Sequence, residues 1–177
     1  MKMTTVAGAF AVCILMLTAG KASAQDDKKF AVGFRIGEPL GANVRMYLPN
    51  NRALDANFGS YGLLWGTNRK YGSKGRFKNT GWELNVNYLF RTNSEGKKVQ
   101  AYYGFGGMIT GRRSYPDRLA GLYEKKTGIG ATGVAGVEYF VPDSPLSLFA
   151  DAGLYVELIP VPLFLHVHGG VGARFNF

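Results

Sequence analysis

Apolar and polar side chains alternate without a break along residues 164–177, FLHVHGGVGARFNF. Leu165, Val167, Gly169, Val171, Ala173, Phe175 and Phe177 fall on one face; His166, His168, Gly170, Gly172, Arg174 and Asn176 fall on the other. A period of two predicts a β-strand whose faces meet different surroundings. The alternation recurs over 30–37, 41–48, 52–59, 80–90, 99–110, 127–140 and 146–158, which makes eight strands in all. In each run Leu, Val, Ala, Ile and aromatics line one face. The other face carries glycine, Asn and isolated charges such as Arg35, Arg45, Asp55, Glu83, Glu138, Asp151 and Glu157. No amphipathic helical segment of credible length interrupts the strands.

The connections alternate in length. Residues 49–51 (Pro-Asn-Asn), 91–98 and 141–145 form short polar turns, 37–41 is tight, and 60–79 and 111–126 are long. Short turns on one side and longer loops on the other describe an all-β, eight-stranded antiparallel up-and-down transmembrane β-barrel. Runs of this length suit tilted spans, which need about 9–11 residues to cross the hydrocarbon. A secreted β-sandwich or soluble barrel is the competing architecture, with its apolar face inside and its polar face in water. The glycine-rich polar face favours a narrow polar interior instead. Phe30, Tyr88, Phe90, Tyr139, Phe175 and Phe177 all fall at the short-turn end, as an interfacial aromatic girdle would.

The N-terminus agrees with export. Met1-Lys2 is positive, 6–17 is apolar and Ala22-Ser23-Ala24 is a small-residue cleavage site, so residues 1–24 read as a secretory signal peptide and 25–177 as one barrel domain. Cys13 is the single cysteine, lies in the apolar run and has no small-residue lipobox before it, so the mature chain has no disulfide framework. Without Lys2 and Lys21 the mature chain keeps 19 basic and 12 acidic residues, a formal charge of +7.

The eight runs and the ending Gly172-Ala173-Arg174-Phe175-Asn176-Phe177 resemble the small eight-stranded outer-membrane proteins, the family of the OmpA transmembrane domain, OmpX and OmpW. The segments Gly33-Phe34-Arg35-Ile36-Gly37 and Gly136-Val137-Glu138-Tyr139 look like a functionally uncharacterised branch of these barrels. The resemblance implies residence in the bacterial outer membrane. It also implies that Phe175 and Phe177, on an alternating last strand, are the signal read by the outer-membrane insertion machinery. The sequence departs from OmpA in showing no periplasmic domain, so a peptidoglycan-anchoring role is not expected to carry over.

An eight-stranded barrel has an interior just wide enough for side chains to fill it. Arg35, Arg45 and Arg174 would share that interior with Asp55, Glu83, Glu138, Asp151 and Glu157, and buried charges must pair or meet trapped water. The turn at 49–51 would set Arg45 opposite Asp55 and Asn43 opposite Asn57, and the last hairpin would bring Glu157 near His166. The expectation is a polar plug. His166 and His168 share a face, as metal ligands or a base and its orienter would. They point inward, however, whereas a lipid A-modifying base would face lipid, and no serine stands at the needed spacing. Interior structural histidines are the plainer reading; no metal, cofactor or catalytic group is implied.

The long loops are basic: Arg69, Lys70, Lys74, Arg76 and Lys78 with no acid in the first, and Arg112, Arg113, Arg118, Lys125 and Lys126 against Asp117 and Glu124 in the second. Facing outward, they would lie among lipopolysaccharide phosphates, or would grip an anionic host surface. Secretion and the absence of a binding motif argue against nucleic acid. Glycines such as Gly104, Gly106 and Gly107 precede no helix and match no phosphate loop, so they read as space-making in a crowded barrel. The apolar turn 159–163 either dips into the outer leaflet or marks a lateral opening for hydrophobic solutes. The expected role is a monomeric, non-enzymatic barrel that contacts outer-membrane lipid and lipopolysaccharide and supports the envelope or binds at the cell surface. A narrow porin-like channel for small or hydrophobic solutes is the alternative, and a lipid A-modifying enzyme the second alternative.

Overall fold

The computed structural model describes residues 28–63, 70–71, 75–77, 80–92, 98–115 and 122–177; the proposed signal peptide lies outside them. The elements are β1 (Phe30–Glu38), β2 (Gly41–Leu48), β3 (Arg52–Tyr61), β4 (Arg76–Phe77), β5 (Gly81–Arg91), β6 (Val99–Tyr115), β7 (Glu124–Phe140), β8 (Leu146–Ile159) and β9 (Phe164–Asn176). Each long strand pairs antiparallel with its neighbour in the chain, and β9 returns to pair with β1, from Ala31↔Asn176 to Glu38↔Gly169. Among the described residues this closes an eight-stranded barrel, with β4 as a two-residue ribbon on the edge of β6. Among the described residues no helix is long and apolar enough to cross a membrane.

The alternation dictates an inside-out arrangement. Phe34, Phe58, Phe105, Val167, Val171 and Leu154 point outward and are exposed, while Arg45, Glu83, Glu138, Glu157, His166 and Arg174 point inward and are buried. On β7 the outward row runs from Tyr139 to Ile129. Ten steps of about 3.4 Å each, tilted about 45°, stand roughly 24 Å tall, close to the ~25 Å apolar band of membrane barrels. Rings cluster at the short-turn end: Phe90 lies 5.5 Å from Tyr103 and 5.3 Å from Tyr88, and Phe175 lies 6.0 Å from Phe177. Asn50 and Asn51 both adopt positive φ (61° and 55°) in the 49–51 turn, a conformation that Asn tolerates.

Inward glycines make room for rings. A Cβ on Gly172 would meet the Phe34 carbonyl oxygen and, at 2.5 Å, the Phe149 ring; on Gly136 the Ala150 oxygen at 2.5 Å and the Tyr102 ring at 2.8 Å; and on Gly130 the Val156 oxygen and, at 2.7 Å, the Tyr155 ring. By contrast, outward Gly107 and Gly133 have only backbone oxygens nearby, at 3.8 and 4.0 Å.

The strands outrun the alternation read from the sequence on the long-loop side. β6 runs to Tyr115 rather than stopping at Thr110, and β7 starts at Glu124 rather than Thr127. Much of the expected 111–126 loop is therefore a hairpin that projects past the band. Arg112 and Ser114 continue the inward row, and their burial holds the extension in register. β3 likewise reaches Tyr61, whose ring is buried.

Candidate functional site

The barrel interior divides into layers. Nearest the short turns, four charges on four strands form a ring across the lumen. Arg45 donates from Nε to Asp55 Oδ1 at 2.7 Å and from Nη1 to Glu138 Oε2 at 2.8 Å. Arg174 donates from Nη1 to Glu138 Oε1 at 3.0 Å and from Nη2 to Asp55 Oδ1 at 3.3 Å. Neutral groups complete the shell. Asn43 and Asn57 donate to Asp55 Oδ2 at 3.1 and 2.9 Å, and Ser147 and Tyr47 donate to Glu138 Oε1 at 2.8 and 3.1 Å. Arg174 Nε also bonds to Asn43 Oδ1. The guanidinium of Arg174 stacks 3.5 Å from the Phe149 ring centroid, and that of Arg45 lies 4.3 Å from Tyr102. Two positive and two negative charges thus cancel in a site that water barely reaches, the condition under which buried ions are tolerated.

The middle layer is looser. Arg35 Nη1 donates to Asp151 Oδ2 at 2.7 Å, and the Tyr102 hydroxyl donates to the same oxygen at 3.1 Å. Arg35, Asp151, His168, Asn57, Asn85 and Asn87 line a polar cavity. Asp151 Oδ1 and both ring nitrogens of His168 have no hydrogen-bond partner among the described residues.

The outer layer departs from the sequence reading. Arg112, expected on an outward loop, is buried and pairs with Glu157. Its Nη1 donates to the Tyr61 hydroxyl at 2.6 Å, and its guanidinium lies 4.3 Å from the Tyr71 ring. A carboxylate inside a narrow barrel needs a cation, and strand continuation delivers Arg112 to that height. The last hairpin sets Tyr155 rather than Glu157 across from His166. His166 Nε2 meets Glu38 Oε1 at 2.7 Å, while Glu157 accepts from Arg112, from the Tyr71 hydroxyl and from the Val161 amide. Glu83 stands across from Gly59 and Thr110, is buried, and neither of its carboxylate oxygens has a hydrogen-bond partner among the described residues. Burial and then the Glu157 hydrogen bond push the Tyr71 hydroxyl's pKa up, so this loop side chain enters the lumen as a neutral donor.

Besides Arg112 and Ser114, sequence reasoning passed over the interior groups Glu38, Tyr61 and Tyr71. Parity sends position 38 outward, but Gly37 takes φ +143° and turns Glu38 in. Of the surface cations, Lys70, Arg76, Arg113 and Lys125 are exposed; Arg69, Lys74, Lys78 and Arg118 lie outside the described residues. At the seam Phe177 accepts from the Lys29 and Phe30 amides at 3.1 and 3.0 Å, and its own amide donates to the Phe30 carbonyl at 2.8 Å. Phe175 pairs across with Val32.

By sequence, no family model and no curated protein matches the chain. Solved structures do. The N-terminal β-barrel domain of Pseudomonas aeruginosa OprF superposes with a TM-score of 0.60 at 15% identity, covering 84% of this chain and 94% of that one. The fold is that of the small eight-stranded outer-membrane barrels. Neisserial surface protein A is similar at TM-score 0.51 and 17% identity, over 84% of this chain and 94% of that one. Ail, the attachment invasion locus protein of Yersinia pestis, is similar at 0.50 and 15%, over 85% and 97%.

Proposed function

We propose that the mature chain is a monomeric, non-enzymatic barrel of the bacterial outer membrane whose lumen is closed by its own side chains. Its role is to support the envelope or to bind at the cell surface. The observation that carries this reading is the Arg45–Asp55–Arg174–Glu138 ring across the lumen. Further support comes from the apolar outward face and from the likeness in fold to OprF, NspA and Ail. In this reading residues 1–24 are a cleaved signal, Phe175 and Phe177 are read by the insertion machinery, and outer-leaflet lipid is the main partner. His166 and His168 belong to the interior network, on the face away from any lipid substrate.

The second reading is a narrow channel for small or hydrophobic solutes, against which the middle cavity, at about 10 Å³, has room for no more than about one water. Single-channel conductance of the refolded mature chain in a planar bilayer separates the two. The plugged barrel leaves the bilayer closed, and Arg45→Ala opens it to ions. Steady openings in the wild type would make the chain a pore. An Arg45→Ala variant with unchanged conductance and unchanged stability would remove the plug.

A further inference from the structure

The projecting β6–β7 hairpin has an outward face that its register defines. Ile109 pairs with Ile129 and Gly111 with Thr127, and a Cβ on Gly111 would run into the Trp82 indole. The next outward row pairs Arg113 with Lys125. One row higher, Tyr115 is flanked by Arg76 of β4, which is bridged in turn by Lys70. Directly opposed residues share a face. Tyr71 points into the lumen, so its neighbour Lys70 points out. Lys70, Arg76, Arg113 and Lys125 therefore surround Tyr115 and Tyr123 on one surface. All four cations are exposed, and none forms an ion pair among the described residues. Among the described residues of the hairpin the acid is Glu124, which belongs to the inward row and pairs with Lys126 at 2.6 Å; Asp117 lies outside the described residues.

This pattern opposes like charges twice, Arg113 to Lys125 and Lys70 to Arg76, where opposite charges would stabilise the pairing. A bound anion removes the conflict. Its source follows from position. The patch continues directly from the apolar band, where Trp82, Ile109 and Ile129 are 45%, 39% and 48% exposed. Arg113 lies four residues above Ile109, about 10 Å up for a strand tilted roughly 45°. That is the depth of the headgroup layer rather than of the bulk solvent beyond it. Tyr123 supports the Arg113 guanidinium at 4.7 Å from its ring centroid, leaving the fork free for a phosphate.

We propose that this surface binds the phosphate of an outer-leaflet lipid, with Arg113 and Lys125 as its primary contacts, Lys70 and Arg76 closing from above, and the acyl chains running down over Trp82, Ile109 and Ile129. The inference rests on the outer-membrane reading of the barrel. The test uses the mature chain in phosphatidylcholine nanodiscs doped with lipid A, intact or dephosphorylated, with retained lipid counted by native mass spectrometry. Intact lipid A is retained. Removing its phosphates, or introducing Arg113→Gln with Lys125→Gln, weakens retention by about tenfold or more. Lys28→Gln with Lys29→Gln, at the opposite rim, changes nothing. Equal retention by the Arg113/Lys125 variant, or of dephosphorylated lipid, overturns the proposal. So does displacement by inorganic phosphate at lipid-like concentrations, which would mark a free-anion site, or preference for a sulfated polysaccharide over lipid. A chain that fails to insert at all overturns the outer-membrane reading as well, whereas an inserted barrel without retained lipid overturns this inference alone.

Discussion

Glu138 is the side chain whose loss the structure makes most costly. It accepts from Arg45, Arg174, Ser147 and Tyr47, at 2.8, 3.0, 2.8 and 3.1 Å. Glu138→Ala leaves two guanidiniums facing Asp55 alone, so a neutral ring becomes one with a net charge of +1 in a buried site. Removing one partner of a buried ion pair costs about 3–5 kcal/mol, a large share of a typical stability of roughly 5–15 kcal/mol. Glu138→Gln keeps an acceptor and falls in between. Combining Arg45→Met with Glu138→Leu restores neutrality through the Arg174–Asp55 pair, and its cost is expected to be smaller than that of Glu138→Ala. Equilibrium urea unfolding in phospholipid vesicles, followed by tryptophan fluorescence, measures all three variants. Glu138→Ala within about 1 kcal/mol of wild type, or a double variant less stable than the single one, would refute the reasoning.

Two further predictions concern the loop and the glycines. Tyr71→Phe removes the hydroxyl that reaches Glu157; hydrogen exchange at residues 70–71 and 75–77 is expected to quicken, consistent with the loss of about 1.5–3 kcal/mol for a bond to a charged group, while the unfolding of the barrel itself changes little. Gly172→Ala drives a methyl into the Phe149 ring beneath Arg174 and is expected to cost about 1–3 kcal/mol, whereas Gly133→Ala, on the open outer face, is expected to leave the urea midpoint within error.

The fold was legible because a barrel of this kind turns parity into position: every second residue meets hydrocarbon and the others meet the lumen. The three-residue turn at 49–51 made Arg45 and Asp55 legible as partners, because they stand opposite in the same hairpin. Cross-lumen partners were not legible. Arg45 meets Glu138 through barrel curvature and strand stagger, which no local pattern encodes. Arg112 was hidden because the alternation of β6 is thinned by glycines before it, and the residue then passes for part of a loop. Glu38 was hidden by the change of parity at Gly37, and Tyr71 by lying in a segment with no period at all.

The ion ring also orders events in time. Arg45 and Asp55 are ten residues apart and belong to the β2–β3 hairpin, so their bond can form as soon as that hairpin does. Arg174 lies on the strand that closes the barrel, 119 residues from Asp55 and 131 from Asn43. Until β9 docks against β1, Asp55 and Glu138 lack one of their two guanidiniums, and Arg174 has no carboxylate. A chain that stalls one strand short therefore carries its charge imbalance into a half-formed lumen. The share of the electrostatic gain that Arg174 brings is released only at the final closure, which makes the last step the one that commits the barrel to its native state.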